Sequence, residues 1–568
     1  MIRRYVPGPS CELRKSSQLD SRRVAMRPCS SGQDPVRRGV VLIIVLVLVV
    51  MIALAGFGFV AEMTTEYEAA KINGDLLQAE QVMASAEAFL LAHVDRLEQP
   101  LSVRGAGQTA SAPVVNFQAV ALESSPGGFG SSGQRPADTE WRFAVIRDLS
   151  QFDATLQRRQ FSVVPNDIDP DGDLEFARAP EFGLTNESAK LNLGRVLYWD
   201  SVEPGRGRQA LLHIPGMTDE AADSILDWID ADDIPRQFGA EADDYRQQLH
   251  NIQPRNSLPE TLAELLYVRG VSRHVFYGDP GLTESEATAG WEQYLTLTSA
   301  ETPRSVSEKI ALVELNPSDL ETLEEDLAQS LSPEYARYVV LALMFGTSPS
   351  GATSTGSASV PAGVASTINP LAVDMSSVTA ESGVAAIELS DLIDSSVVLP
   401  VPGRTLQIRS PFRSDDPDSL RSFASLEQQL TSIDTTLPMI RGRINLLEAG
   451  EDVLRALTDD PAIASQIVQQ RESLSDDERT SSVWLLSRRI MDITTYRKLY
   501  PDITTGGNVY SGEIIVYRRT GGPFLRRKIT IGAANGSARR LNWQDKSSLP
   551  LPLTLEQLEP VNGFSSDD

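Results

Sequence analysis

Twenty-two consecutive uncharged residues, Val40 to Ala61, follow directly on Arg37-Arg38-Gly39, and nothing else in the chain constrains its fold as strongly. About 20 apolar residues rising about 1.5 Å each cross about 30 Å of hydrocarbon, so the run is long enough to span a bilayer as a helix. Residues 1–39 carry nine Lys/Arg against Glu12, Asp20 and Asp34, whereas the rest of the chain is acidic. The positive-inside bias therefore holds the leader in the cytoplasm and sends about 500 residues to the other side. From Val36 to Gln99 there is no proline. Leu76, Leu77, Ala79, Val82, Met83, Ala86, Phe89 and Leu90 recur close to a 3.6 period, so span and continuation read as one helix of about 58 residues.

A secretory signal peptide has a shorter apolar core ending at a small-x-small site. Ala53-Leu54-Ala55 could be such a site, but the run continues to Ala61. A plain signal anchor accounts for the length and charge. A basic leader ending in Gly, with an apolar span that continues as an amphipathic helix, also resembles the class III signal of type IV pilins and type II secretion pseudopilins. That resemblance implies cleavage between Gly39 and Val40 by a prepilin peptidase and methylation of the new N-terminus. Two departures stand out: the first mature residue is Val40 rather than Phe, and the fifth is Ile44 rather than Glu. In that family the glutamate meets the terminal amine of a neighbouring subunit, because an unpaired charge in hydrocarbon is costly. Its absence is typical of the minor pseudopilin K, the tip subunit. The leader is long for this class, and a start at Met26 would leave 14 residues.

At 568 residues and 41% hydrophobic, the chain has material for several packed domains. Both cysteines, Cys11 and Cys29, lie in the leader, so neither disulfides nor cysteine-held metal can staple the body. The formal charge is −26, and loss of the leader's net +6 takes it to −32. Such acidity repels phosphate backbones, and no nucleic acid partner is expected. Divalent cations suit it better.

Residues 100–139 are rich in Ser, Gly, Pro and Ala and read as a linker. The Gly128-Phe129-Gly130-Ser131-Ser132-Gly133 within it follows no strand and opens no helix, so it is not a dinucleotide fingerprint. Trp141–Arg147 and Phe161–Val164 are strand-like. A helical region then extends to about residue 500, interrupted by a Ser/Thr/Gly/Ala tract from Gly346 to Gly383 that reads as disordered or poorly packed. Strand patterns return at Val509–Arg519, Phe524–Ile531 and Ala538–Trp543. A sheet split by some 300 helical residues predicts an α+β fold carrying a large helical insertion.

Inside the insertion, an apolar-Asn-apolar start recurs at Leu191-Asn192-Leu193, at Ile444-Asn445-Leu446 and, degraded, at Leu315-Asn316-Pro317. Gly216 and Gly270 can take the left-handed conformation that folds one helix back on the next. These read as helix-hairpin-helix units of the sterile-alpha-motif-like kind. The motif also grips DNA in other proteins, but here Thr218, Asp219 and Glu220 follow the first turn where basic residues would be needed.

The most specific stretch is Leu226-Asp227-Trp228-Ile229-Asp230-Ala231-Asp232-Asp233-Ile234-Pro235-Arg236, then Gly239-Ala240-Glu241-Ala242-Asp243-Asp244-Tyr245 and Val268-Arg269-Gly270-Val271. It closely resembles the D-W-I-D-x-D-x-x-P-R, G-A-E-x-x-x-Y and V-R-G-V succession of the type II secretion minor pseudopilin K family. The entry Asn186–Leu193 and the stretch Arg443–Leu457 with the strands after it are similar to the same family. Residues 276–440 have no counterpart.

The resemblance implies a type IV pilin-like long N-terminal helix plus antiparallel sheet, with an inserted all-α domain. On this reading the domains are a cleaved leader (1–39), a transmembrane helix (40–61) and its periplasmic continuation (62–99). A linker with the first strands (100–185) leads into a first helical subdomain (186–300) and a helical or low-complexity insertion (301–440). A second helical subdomain (441–505) and the returning strands and tail (506–568) complete the chain. It also implies a single-pass protein of the bacterial inner membrane. Expected partners are other minor pseudopilins, the assembly platform of the secretion system and prepilin peptidase, and the expected role is nucleating or capping the pseudopilus. A membrane-anchored helix-hairpin-helix DNA receptor and a minor tip pilin of a type IV pilus are the alternatives.

Six carboxylates fall within 15 residues: Asp230, Asp232, Asp233, Glu241, Asp243 and Asp244. Crowded carboxylates repel, and a hard cation taking six to eight oxygens relieves them; the family resemblance adds calcium as the expected ion. The alternative is a solvated acidic loop with Arg236 and Arg246 as partners. Asp167, Asp169 and Asp171, followed by Gly172, form the first half of an EF-hand loop, but its twelfth position is Arg178. No H-E-x-x-H, G-x-S-x-G or P-loop occurs, and the four histidines are scattered, so no enzyme is expected.

Overall fold

The computed structural model describes residues 37–97, 159–164, 183–246, 252–279, 288–305, 312–314, 320–349, 367–375, 387–401, 404–431, 439–518, 524–534, 537–549 and 551. Asp167, Asp169 and Asp171, the Gly128–Gly133 motif, Trp141–Arg147 and Leu315-Asn316-Pro317 all lie outside the described residues.

Helix α1 runs from Arg37 to Leu97, so the Gly39–Val40 bond falls inside its first turn. The chain divides into two units, residues 1–74 and 75–568. In the first, every side chain described from Val41 to Asn73 is exposed, the apolar run included. Without proline, the run keeps its backbone hydrogen bonds inside the helix, as hydrocarbon requires. Thr64 and Thr65 return their hydroxyls to carbonyls of the preceding turn, at 2.8 Å to Ala61 and 2.8 Å to Glu62.

In the second unit the last turns of α1 lie on an antiparallel sheet of β1 (Arg159–Val164), β2 (Val509–Arg518), β3 (Leu525–Ala534) and β4 (Ser537–Asp545). The strand order is β1-β2-β3-β4, and Thr185–Asn186 adds a short pairing to β2. Ala79, Met83, Ala86, Leu90 and Val94 form the buried stripe of the helix. They meet Tyr510, Ile514 and Val516 of β2 and Ile529, Ile531 and Ala533 of β3. The sequence period named four of these five; Val82 and Phe89 sit at the edge of the core, and Leu76 and Leu77 are exposed. Ionic contacts border the stripe: Arg527 to Glu80 at 3.2 Å, Arg540 to Glu87 at 2.5 Å, and the Ala538 amide to Asp95 at 3.0 Å.

A strand turns alternate residues to opposite faces. While Tyr510 and Ile514 face α1, Ser511 and Glu513 face the inserted domain and meet its charges. The Ser511 hydroxyl donates to Glu187, and Glu513 pairs with Lys546 at 2.8 Å and Arg526 at 2.5 Å. Glu187 also pairs with Lys190 at 3.0 Å and accepts from the Thr296 hydroxyl. Burial works against the Glu187 carboxylate, but Lys190, Lys528 and the two hydroxyls outweigh it and lower its pKa to about 2.

The inserted domain is built from three consecutive blocks, each closed by a two-residue parallel pairing. Leu191–Asn192 pairs with Leu295–Thr296, Val313–Glu314 with Leu430–Thr431, and Ile444–Asn445 with Ile503–Thr504. The asparagine has a local task in the outer two blocks. Asn192 Oδ1 accepts from the Gly194 amide at 2.8 Å to start α2 (Leu193–Val202), and Asn445 Oδ1 accepts from the Leu447 amide at 3.0 Å. The middle block falls within residues 276–440, which have no counterpart in the family resemblance. Besides the helices Leu320–Ser330 and Pro333–Phe345, it holds a four-stranded sheet, so the insertion is mainly but not wholly helical. That sheet runs in the order Thr367–Ile368, Arg404–Arg409, Ser395–Val401, Ser348–Pro349, with two strands lying inside the Ser/Thr/Gly/Ala tract, which is therefore ordered in part. One hydrophobic core joins the three blocks.

Candidate functional site

The acidic loop is the best-defined polar site of the first block. Helix α3 (Arg206–Leu212) turns through Gly216, at φ +71°, into α4 (Asp219–Ile229). Thr218 caps α4 by accepting from the Ala221 amide at 3.2 Å. The apolar face of α4, with Ala221, Ala222, Ile225, Leu226 and Ile229, is fully buried. Asp223 and Asp227 are buried on the same helix, and both receive the loop that follows.

Asp227 accepts from the Arg236 amide at 3.1 Å and from Arg236 Nη1 at 2.7 Å, while Asp223 accepts from the Phe238 amide at 3.1 Å. Arg236 reaches further, to Asp230 at 2.5 Å and Asp200 at 3.0 Å. One guanidinium thus clamps three carboxylates and folds residues 230–239 back over α4. A Cβ on Gly239 would lie 1.8 Å from Asp227 Oδ2, so only glycine lets the loop come this close.

The clamp brings one carboxylate oxygen each from Asp230, Asp232 and Glu241 within 4.8 Å of one another. Glu241 is 4% exposed, and neither of its side-chain oxygens has a hydrogen-bond partner; Asp230 Oδ1 is likewise buried and unpartnered. Burial, then the charges of Asp227, Asp230, Asp233 and Asp232, push the Glu241 pKa up to about 7. Burial also raises Asp227 and Asp230 despite Arg236.

The other three expected ligands are placed elsewhere. Asp233 accepts from Asn256 Nδ2 at 2.9 Å, Asp243 pairs with Arg246 at 2.5 Å on the surface, and Asp244 accepts from the Glu241 amide at 3.1 Å. Asp244 therefore positions Glu241 through its backbone. Both arginines expected as partners of a solvated loop do hold acids, Arg236 taking Asp230 and Arg246 taking Asp243. Asp200 was not singled out from sequence, and Asp227 was read as the start of the D-W-I-D motif but not as part of the acidic cluster. Asp227 lies three residues before Asp230, one helical turn away, and that spacing was the available signal.

The donor set fits a hard cation. All the converging ligands are carboxylate oxygens, three of the buried oxygens have no other partner, and no sulfur or imidazole competes. Asp230, Asp232 and Glu241 would hold it, and the ion would supply the positive charge that Arg236 alone does not.

A helix apolar and long enough to cross a membrane, an antiparallel sheet on its later turns and a large, mainly helical insertion make an α+β fold of the pilin-like kind that the sequence resembles. Residues 189–277 match the family model "Type II secretion system (T2SS), protein K", and the loop just described lies inside that match. That stretch is thus similar to type II secretion protein K, the family that the sequence resembles. Among solved structures it is similar to the crystal structure of the GspK-GspI-GspJ complex from the type 2 secretion system of enterotoxigenic Escherichia coli. The identity is 10% over 84% of this chain and 98% of that chain, with a TM-score of 0.32. No curated protein matches.

Proposed function

We propose that this protein is a minor pseudopilin that caps or nucleates the type II secretion pseudopilus from the inner membrane, with its body in the periplasm. The protein K domain at residues 189–277 carries the reading. The apolar helix beginning beside Gly39 supports it, because a prepilin peptidase would cut there and leave Val40 as a methylated N-terminus. Ile44 in place of glutamate suits a subunit with no neighbour above it. The three blocks of the insertion suit an end position, since a bulky head cannot repeat in a closely packed fibre. Other minor pseudopilins and the assembly platform are the partners. Calcium bound by Asp230, Asp232 and Glu241 would fix the loop over α4. The first hairpin turn is flanked by Asp219 and Glu220, which favours packing over phosphate binding.

Deleting the coding sequence in its own host and assaying proteins in the medium tests the role. Secretion-system substrates should accumulate in the periplasm and return to the medium on complementation. Unchanged secretion in the deletion strain would refute it.

A further inference from the structure

The first block and the face of the sheet turned away from α1 enclose a cavity of about 300 Å³, at the lower end of small-ligand sites. Its floor follows from strand alternation. Ile529 and Ile531 pack on α1, so Lys528 and Thr530 of β3 face the cavity. Their cross-strand partners in β4 are Gln544 and Asn542, which line it with them. The floor is thus two neighbouring pairs of side chains, each pair about 5 Å apart across the strands. Leu262, Phe276 and Leu295 of the first block supply apolar wall.

The charged groups of the lining are matched within the fold. Glu187 pairs with Lys190 at 3.0 Å, Glu260 with Arg255 at 2.8 Å, and Glu292 with Lys546. Lys528 stands between Glu292, at 3.8 Å, and the charge of Glu187. An ionic ligand would have to compete with pairs already made. The neutral groups are different. Thr530 is 8% exposed, and its hydroxyl hydrogen-bonds no described residue; neither do the side-chain amides of Asn542 and Gln544. A buried hydroxyl without a partner is costly, and Thr530 can gain one only from the cavity it faces. The hydroxyl and both amides can each donate and accept.

We propose that this cavity binds an uncharged pyranose ring, free or at the end of a glycan. Such a ring carries hydroxyls, each a donor and an acceptor, around its rim and C–H groups on its faces. The rim would meet Thr530, Asn542 and Gln544, and a C–H face would lie on Leu262, Phe276 and Leu295. A purely apolar ligand would leave the Thr530 hydroxyl unpaired. An acid would face Glu187, Glu260 and Glu292, and an amine would face Lys528.

The test uses the full chain, solubilised in a detergent without a sugar headgroup, and saturation-transfer NMR of the ligand. The probes are the methyl glycosides of glucose, galactose, mannose and N-acetylglucosamine. At least one should bind saturably, and at least tenfold more tightly than the same ring bearing a carboxylate in place of its primary alcohol. Thr530→Val keeps the shape of the side chain, removes the hydroxyl and should weaken binding at least tenfold. Ala263→Trp, which fills the cavity and leaves every ion in place, should abolish it. Tighter binding of the matching trisaccharide assigns the site to a glycan end, and equal or weaker binding assigns it to the free sugar. Absence of saturable binding by all four glycosides, which would mean a cavity holding water only, would overturn the proposal. So would equal binding of the carboxylate ring, or binding unchanged in either variant.

Discussion

Replacing Glu187 with glutamine removes the central anion between the sheet and the inserted domain. The side chain is 6% exposed and receives Lys190, Ser511 and Thr296 together. Its pKa is about 2 against 4.5 without the fold, and about 1.36 kcal/mol per unit makes the charged form worth about 3 kcal/mol to stability. Removing one partner of a buried pair typically costs about 3–5 kcal/mol, so the two routes agree. A carboxyl whose pKa is depressed by folding contributes fully above 4.5 and loses its contribution as pH falls toward 2. Urea unfolding followed by tryptophan fluorescence should therefore show Glu187→Gln about 3 kcal/mol less stable than wild type at pH 6. The gap should narrow steadily between pH 4.5 and 2.5, although Glu513, also near 2, makes both proteins weaken in that window. A gap below about 1 kcal/mol at pH 6, or one independent of pH, would refute the argument.

Other outcomes follow from particular contacts. Met83→Ala empties the centre of the α1 stripe and should cost about 2–5 kcal/mol, read as a lower urea midpoint with an unchanged slope. Arg236→Ala leaves Asp227 buried without its cation and should cost about 3–5 kcal/mol, with faster amide exchange in residues 230–239. Calcium should raise the unfolding temperature and chelation should lower it, whereas Glu241→Ala, with the central ligand gone, should show neither shift. Gly239→Ala should weaken the calcium shift in the same assay, because its Cβ collides with Asp227.

Much of this architecture was legible because it depends on local pattern. The α1 stripe at Ala79, Met83, Ala86 and Leu90, and the three C-terminal strands, follow directly from their periods. The middle block was harder. Its strands at Ser348–Pro349 and Thr367–Ile368 are two residues each and lie within the low-complexity tract, so they carry no period; they exist only through pairing with distant residues. Its entry, Val313–Glu314, has lost the asparagine that marks the other two. At the acidic loop, the sequence grouped six carboxylates by nearness along the chain, but the fold sorts them by the reach of Arg236. Asp230, Asp232 and Glu241 converge, Asp243 faces solvent, and Asp227, hidden in the apolar face of α4, becomes the anchor. Proximity in sequence cannot reveal where one guanidinium will point.

The pseudopilin reading stands on processing of the apolar helix. Intact mass and N-terminal sequence of the membrane-extracted protein, from cells with and without prepilin peptidase, test it most directly. A mature chain beginning at methylated Val40 is expected only when the peptidase is present. An uncut N-terminus in both strains, or a cut near Ala55, would contradict it.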